Sequence, residues 1–209
     1  MKVIYDLKNI DFNRIKELLE EKEIVVYPTD TVYGVGGLIT SEEAIKKIYQ
    51  AKERSYNSPI IALVSSVDKV EDIAYINEKN RDLIERLIER FWPGGLTIIL
   101  KKREFVPDIL TAKGDTIGIR MPNLDIALKI IESVGGVLPT TSANISGETT
   151  PRSYDEVSER FRERVGILID GGKSPLGEES TIINMSNEPK IVRVGAIPVE
   201  EIEKVIGKI

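Results

Sequence analysis

Apolar residues alternate along the chain between helical spacing and short continuous runs, and this alternation predicts an α/β protein. Asp11 to Lys22 sets Phe12, Ile15, Leu18 and Leu19 on one stripe, with Lys16, Glu17, Glu20 and Glu21 facing away. Ile24 to Tyr27 then reads as a buried strand that Pro28 ends. The next helix carries Ala44, Ile45, Ile48 and Tyr49, with Thr40 and Glu43 as a capping box. Ile60 to Val64 reads as a strand, Asn77 to Phe91 as a long amphipathic helix stopped by Pro93-Gly94-Gly95, and Leu96 to Leu100 as a strand. Trp92 is expected to pack at the end of that long helix.

In the second half, Thr116 to Pro122 alternates like a half-buried strand and delivers Arg120 to its end. Asn123 is the expected cap of a helix through Ile126, Ala127, Ile130 and Ile131, followed by a short strand, Val137 to Pro139. Ser153 and Glu156 read as a capping box for a helix through Val157 and Phe161. Val165 to Ile169, Ser180 to Ile183 and Lys190 to Val194 are strands, and Val199, Ile202, Val205 and Ile206 are the buried stripe of the last helix. Pro93 to Thr116 and Ile167 to Val194 hold successive strands without a helix between them, so the sheet is expected to be mixed. No linker-like shift in composition divides the 209 residues, and one domain over 1–209 is expected.

Two of these strands empty into unusual segments. After Tyr27 comes Pro-Thr-Asp-Thr-Val-Tyr-Gly-Val-Gly-Gly, read as a loop whose Gly34, Gly36 and Gly37 take conformations closed to other residues. After Pro139 comes Thr-Thr-Ser-Ala-Asn-Ile-Ser-Gly, a second hydroxyl-rich loop. Ligands of α/β proteins sit beyond the carboxyl ends of strands, where loop N–H groups converge on an anion. Ordinary turn chemistry, in which Ser, Thr and Asn bond their own backbone, is the alternative. Between the two loops, Lys52 and Arg54 lie in a polar segment. In extended backbone they point to one side, whereas as a helix end they are cations answering a dipole.

Composition narrows the chemistry sharply. The chain has neither cysteine nor histidine, which excludes a disulfide framework, a catalytic thiol, a Ser-His-Asp triad and a zinc site of the usual ligands. What remains is Lys, Arg, Ser, Thr, Asp, Glu, Tyr, the backbone, or a hard metal ion held by oxygens. A formal charge of −5 argues against a surface coated in positive charge for nucleic acid, though it leaves room for a local basic groove. The start, Met1 to Asp6, lacks the apolar core of a signal peptide and no apolar run reaches membrane-spanning length, so a cytoplasmic protein is expected.

Seven segments in order then carry a resemblance: Tyr-Pro-Thr-Asp-Thr-Val-Tyr-Gly (27 to 34), Lys-x-Arg (52 to 54), Trp-Pro-Gly-Gly-Leu-Thr (92 to 97), Ile-Arg-Met-Pro (119 to 122), Thr-Ser-Ala-Asn-Ile-Ser-Gly (141 to 147), Glu-Ser-Thr-Ile-Ile (179 to 183) and Arg-Val-Gly (193 to 195). Together the set resembles the YrdC-like family of threonylcarbamoyl-AMP synthases. The resemblance implies an open, twisted α/β domain with a positively charged cavity, where L-threonine, bicarbonate and ATP become threonylcarbamoyl-AMP and pyrophosphate. It also implies a threonylcarbamoyl transferase complex as the downstream acceptor, which modifies an adenosine of tRNA.

Carried over by motif, Thr31, Arg120, Thr140 and Ser180 would contact threonine, and Arg54, Ser58, Thr116, Ser142, Thr150 and Arg193 would contact ATP. Asn144 is counted with the ATP set and also read as a brace of its loop. Lys52, close to the phosphates, and Arg54 would carry the catalysis, and Mg²⁺ held mainly through phosphate oxygens would accompany the nucleotide. The chain departs from the family pattern at Ser58-Pro59-Ile60, where Asn-Pro-Leu is usual, and at Leu63, which stands at the place of a histidine. It also ends soon after Arg193, which implies the single-domain form. The competing expectation is a non-catalytic paralogue of YciO type that binds double-stranded RNA or the ribosome. A carbamoyl-transferring domain like that of hydrogenase-maturation proteins fits less well, since those chains are much longer.

Overall fold

The computed structural model describes residues 3–209, so Met1 and Lys2, the start of the segment read for a leader, lie outside the described residues. Among the described residues, eleven strands form one mixed sheet. They are β1 (Val3–Asp6), β2 (Val25–Pro28), β3 (Tyr33–Gly36), β4 (Ile61–Val64), β5 (Ala74–Tyr75), β6 (Leu96–Lys102), β7 (Thr116–Arg120), β8 (Val137–Ser142), β9 (Ile167–Asp170), β10 (Thr181–Asn184) and β11 (Lys190–Arg193). The spatial order is β1-β9-β2-β3-β8-β4-β7-β6-β10-β11, with β5 beside β6. β1 and β2 pair parallel with β9, β4 with β7 and β6 with β10, and the other pairs are antiparallel.

Helices flank both faces, as the apolar stripes require. α1 (Phe12–Glu20) and α5 (Asp125–Ser133) bury Ile15, Leu19, Ala127 and Ile130 against Val25, Tyr27, Leu63 and Leu138. On the other face, α2 (Glu42–Ala51), α4 (Arg81–Phe91) and α7 (Val199–Ile206) bury Ile45, Ile48, Leu87 and Ile202 with Val35, Ala62, Ile98, Ile119 and Ile183. α3 (Val70–Ile73) and α6 (Glu159–Arg162) are single turns. Trp92 is buried at the end of α4 and its Nε1 donates to Leu96 O at 2.7 Å.

Several local expectations are corrected. Segment 33–36 is a strand, not a loop, and Gly34, Gly36 and Gly37 do not have positive φ. Their smallness serves close approach: a Cβ on Gly34 would lie 2.6 Å from Thr140 Cγ2, and one on Gly36 2.9 Å from Thr140 Oγ1. Thr140 to Ser142 likewise continue β8, pairing with Gly36 to Gly34. Ser41, not Thr40, caps α2 by accepting from Ala44 N, and Glu43 accepts from Lys22 rather than closing a capping box. The cap position of α5 is Leu124 rather than Asn123, and that of α6 is Ser158 rather than Ser153. The long helix begins at Arg81, after a tight 3₁₀ turn over Glu78–Asn80.

Candidate active-site cleft

Register fixes which side chains share the cleft floor, since paired residues stand on the same face of a sheet. Thr140 pairs with Ile61, Leu63 with Arg120, Ile99 with Gly118, and Thr97 with Ile182. α5 packs over β2, β8 and β4 on this face, and a cleft of about 160 Å³ opens beyond it. Its lining includes Thr31, Arg54, Leu63, Arg120, Thr140, Ser142, Glu179, Ser180 and Arg193. A more open groove adjoins it, sharing Arg54, Ser142 and Glu179 and adding Lys52, Ser58, Asn144 and Thr150.

Of the residues singled out from sequence, all but Thr116 line the cleft or the groove. Thr116 opens β7 and Arg120 closes it, which separates them by about 13 Å of extended chain. The strand that delivers Arg120 to the cleft thus leaves Thr116, paired with Lys101, toward its other end.

The β2–β3 hairpin tip is organised by Thr29, whose hydroxyl donates to Val32 O at 2.7 Å and shares a 2.9 Å bond with Thr31 Oγ1. Thr140 Oγ1 donates to Leu138 O at 3.0 Å and shares a 2.7 Å bond with the buried Tyr27 hydroxyl, whose ionisation burial pushes far up. Ser180 Oγ shares a 2.8 Å bond with Thr97 and accepts from Arg193 at 3.2 Å. Arg193 also bonds Ser180 O and pairs with Glu179 at 2.9 Å. Arg120 donates to Asp30 Oδ1 at 2.7 Å and to Thr29 Oγ1 at 3.2 Å.

Lys52 and Arg54 meet the same segment, but not through extended backbone. α2 ends in a Schellman motif, with Arg54 N bonded to Tyr49 O and Glu53 N to Gln50 O. Glu53 takes the left-handed position usual for glycine, φ 50°, and pairs with Arg160 and Arg164. This turn sends the Lys52 ammonium to Ser142 O (2.5 Å), Asn144 O (2.8 Å) and Asn144 Oδ1 (3.2 Å), while Ser146 N returns a bond to Lys52 O. Arg54 spans two elements, donating to Thr141 Oγ1 at 3.0 Å and to Pro59 O at 2.9 Å.

Burial, helped by the nearby Arg54 charge, pushes Lys52 down to about 7, although Glu179 and its oxygen acceptors favour the ammonium. The unfolded lysine takes its proton near 10.5 and the folded one near 7, so between those values the unfolded chain holds more protons. Stability is therefore lower below pH 7 and rises as pH climbs toward 10.5. Thermal unfolding from pH 7 to 10 should show this rise in the wild-type chain and not in Lys52→Met. Parallel curves would mean that the carbonyls keep Lys52 charged throughout.

Sequence reasoning gave no role to Thr29, Asp30, Thr141 or Glu179, or to the apolar wall of Pro59, Ile61 and Ile182. Period-two reading of β4 could have found Ile61 beside Leu63, whereas Glu179 meets Arg193 only through the β10–β11 hairpin.

Fold and cleft together define an α/β protein with a hydroxyl- and cation-lined pocket on the open part of a mixed sheet. The family model described as "Telomere recombination" (Sua5/YciO/YrdC) matches residues 17–195, and the chain belongs to that family. A Pyrococcus abyssi threonylcarbamoyl-AMP synthase is 42% identical over 192 residues, covering 91% of this chain and 56% of its own length. A Methanocaldococcus jannaschii relative is 36% identical over 208 residues, covering 96% of this chain and 95% of its own. Among solved structures, P. abyssi Sua5 complexed with L-threonine superposes with TM-score 0.91 at 39% identity, covering 100% of this chain and 62% of that one. E. coli YciO gives 0.81 at 25%, covering 96% and 98%. The chain thus spans just over half the length of the Pyrococcus synthase. Among the described residues, no helix is long and apolar enough to cross a membrane.

Proposed function

We propose that this chain makes threonylcarbamoyl-AMP and pyrophosphate from L-threonine, bicarbonate and ATP, for later transfer to tRNA by a separate transferase. The observation that carries this reading is the convergence of Thr31, Arg120, Thr140 and Ser180 on one cleft that shares Arg54 with the adjoining groove. The likeness to a Sua5 structure titled as a complex with L-threonine supports it.

In this reading Arg120 takes the threonine carboxylate. The amine joins the bicarbonate carbon with loss of water, and an oxygen of the resulting carbamate attacks the α-phosphorus as pyrophosphate leaves. Both partners are anions, so the site must hold them in line and balance charge as the leaving group departs. Arg54, at the junction of cleft and groove, and Arg193 supply that charge in planar donor geometry, and Ser142 and Thr150 add hydroxyl donors along the groove. Lys52 holds the loop that carries Ser142 and Asn144.

Among the described residues no cluster of three metal-ligating side chains occurs. The site fits Mg²⁺ carried by the triphosphate, with Glu179, which lines both cleft and groove, as the neighbouring carboxylate. Such an ion would supply charge neutralisation for the pyrophosphate beside Arg54 and Arg193.

The test is pyrophosphate release that requires both L-threonine and bicarbonate. No pyrophosphate release above background would favour the non-catalytic RNA-binding reading instead. Two variants separate ligand contact from loop bracing. Ser142→Ala is expected to raise the ATP requirement by roughly 1 kcal/mol in binding with little change in melting temperature. Asn144→Ala is expected to lower melting temperature as well, because Asn144 is buried, accepts from Lys52 and donates to Glu148 O at 2.7 Å. Equal effects on stability alone, with ATP use unchanged, would reduce the segment to a turn.

A further inference from the structure

Asp30 sits at the tip of the β2–β3 hairpin with its side chain 4% exposed, facing an equally buried Arg120. The guanidinium is held by three anchors: NH1 donates to Asp30 Oδ1 at 2.7 Å and to Gly94 O at 3.3 Å, and NH2 donates to Thr29 Oγ1 at 3.2 Å. Asp30 Oδ2 and Arg120 Nε are left without partners. A buried ion pair costs desolvation that only full hydrogen bonding offsets, so an incomplete pair is a poor device for stability alone. It is a good device for aim. Asp30 Oδ1 and Gly94 O together occupy NH1, and Thr29 takes one hydrogen of NH2, so the guanidinium on the cleft wall keeps the second NH2 hydrogen unused.

We propose that Asp30 is a positioning residue for the amino-acid end of the cleft, orienting Arg120 so that the remaining NH2 donor meets the substrate carboxylate. This rests on the proposed function. Asp30 is itself absent from the cleft lining and acts through Arg120, while its backbone carbonyl accepts from Leu176 N at 2.8 Å whatever its side chain. Loss of the side chain therefore removes the charged one of the guanidinium's three anchors without untying the hairpin from Leu176.

The experiment measures pyrophosphate release against threonine and against ATP in the wild type, Asp30→Ala, Asp30→Asn, Arg120→Ala and the double variant Asp30→Ala/Arg120→Ala, with folding followed by circular dichroism. Wild-type dependence on threonine is established first, and its absence would remove the proposed function rather than this inference. Asp30→Ala is expected to raise the threonine KM about tenfold or more and leave the ATP KM within about twofold. Asp30→Asn, which keeps an oxygen for NH1, should recover most of that loss, to about threefold. In the Arg120→Ala background, Asp30→Ala should add nothing, since the residue it orients is gone. The inference is overturned if the two losses multiply, if the ATP KM rises in step, or if the threonine KM stays put. Should Asp30→Ala not fold, an unchanged threonine KM in Asp30→Asn overturns it equally.

Discussion

Arg54→Lys is expected to lower kcat/KM for ATP by ~10²-fold, although the charge is kept. Arg54 bridges Thr141 on β8 and the carbonyl of Pro59 through two nitrogens of one plane, and its side chain lines both cleft and groove. An ammonium on a flexible stem can hold one of those anchors or a phosphate oxygen, but not the fixed fork. The fold should persist, because α2 is ended by backbone bonds of the Schellman motif rather than by this side chain. Steady-state kinetics against ATP, with a melting curve for each protein, make the comparison. Normal turnover in the variant would leave the Lys-x-Arg segment as a helix end.

Valine should replace threonine poorly and serine only moderately, and the cleft sets the size of both effects. From sequence alone, a site built to pair a hydroxyl would reject valine by ~10⁴, the value for partners left buried and unpaired. The structure lowers that figure. Thr31 is already bonded to Thr29, Thr140 to Tyr27 and Leu138 O, and Ser180 to Thr97 and Arg193, so none is orphaned when the ligand lacks its hydroxyl. A net hydrogen bond of about 1 to 1.5 kcal/mol remains at stake, or ~5- to 10-fold against valine. Serine meets the apolar wall of Ile61, Leu63 and Ile182 without a methyl to place there, a loss of about 1 kcal/mol for one buried carbon. Pyrophosphate release with the three amino acids at fixed ATP and bicarbonate measures this. Equal rates for valine and threonine would sink the threonine-site assignment.

The amphipathic helices and the mixed sheet were legible because periodicity depends on local sequence alone. The strands that line the cleft were harder to see. β3 alternates Tyr33 and Val35 with glycines and the end of β8 is Thr-Thr-Ser, segments that read as loop until each finds the other as a partner in the ladder. Of the two readings open for Lys52 and Arg54, the helix end is the one the structure shows, and both side chains still reach segment 141–144 because the left-handed Glu53 turns the chain, a position no propensity announces for a glutamate. Motif carry-over places Thr116 in the ATP set, and the structure sets it at the start of β7, about 13 Å along the strand from Arg120 and outside the linings of cleft and groove. Asp30 and Glu179 were missed because their partners, Arg120 and Arg193, are distant in sequence or across a hairpin.

The sheet order has a kinetic meaning as well. Thr31, Arg120, Thr140 and Ser180 come together only when Gly36 has found Thr140, Leu96 has found Thr181 and Leu63 has found Arg120. Such non-local pairings carry the highest loop-closure cost and make for slow folding. A nascent or partly unfolded chain with one of them missing has an incomplete pocket, so substrate selects for the finished topology. At a hundred times its dissociation constant a ligand of the cleft adds about 2.7 kcal/mol to the native state. That gain is drawn by the whole sheet, out to β1 and β9 at its far edge, and not merely by the strands the ligand touches.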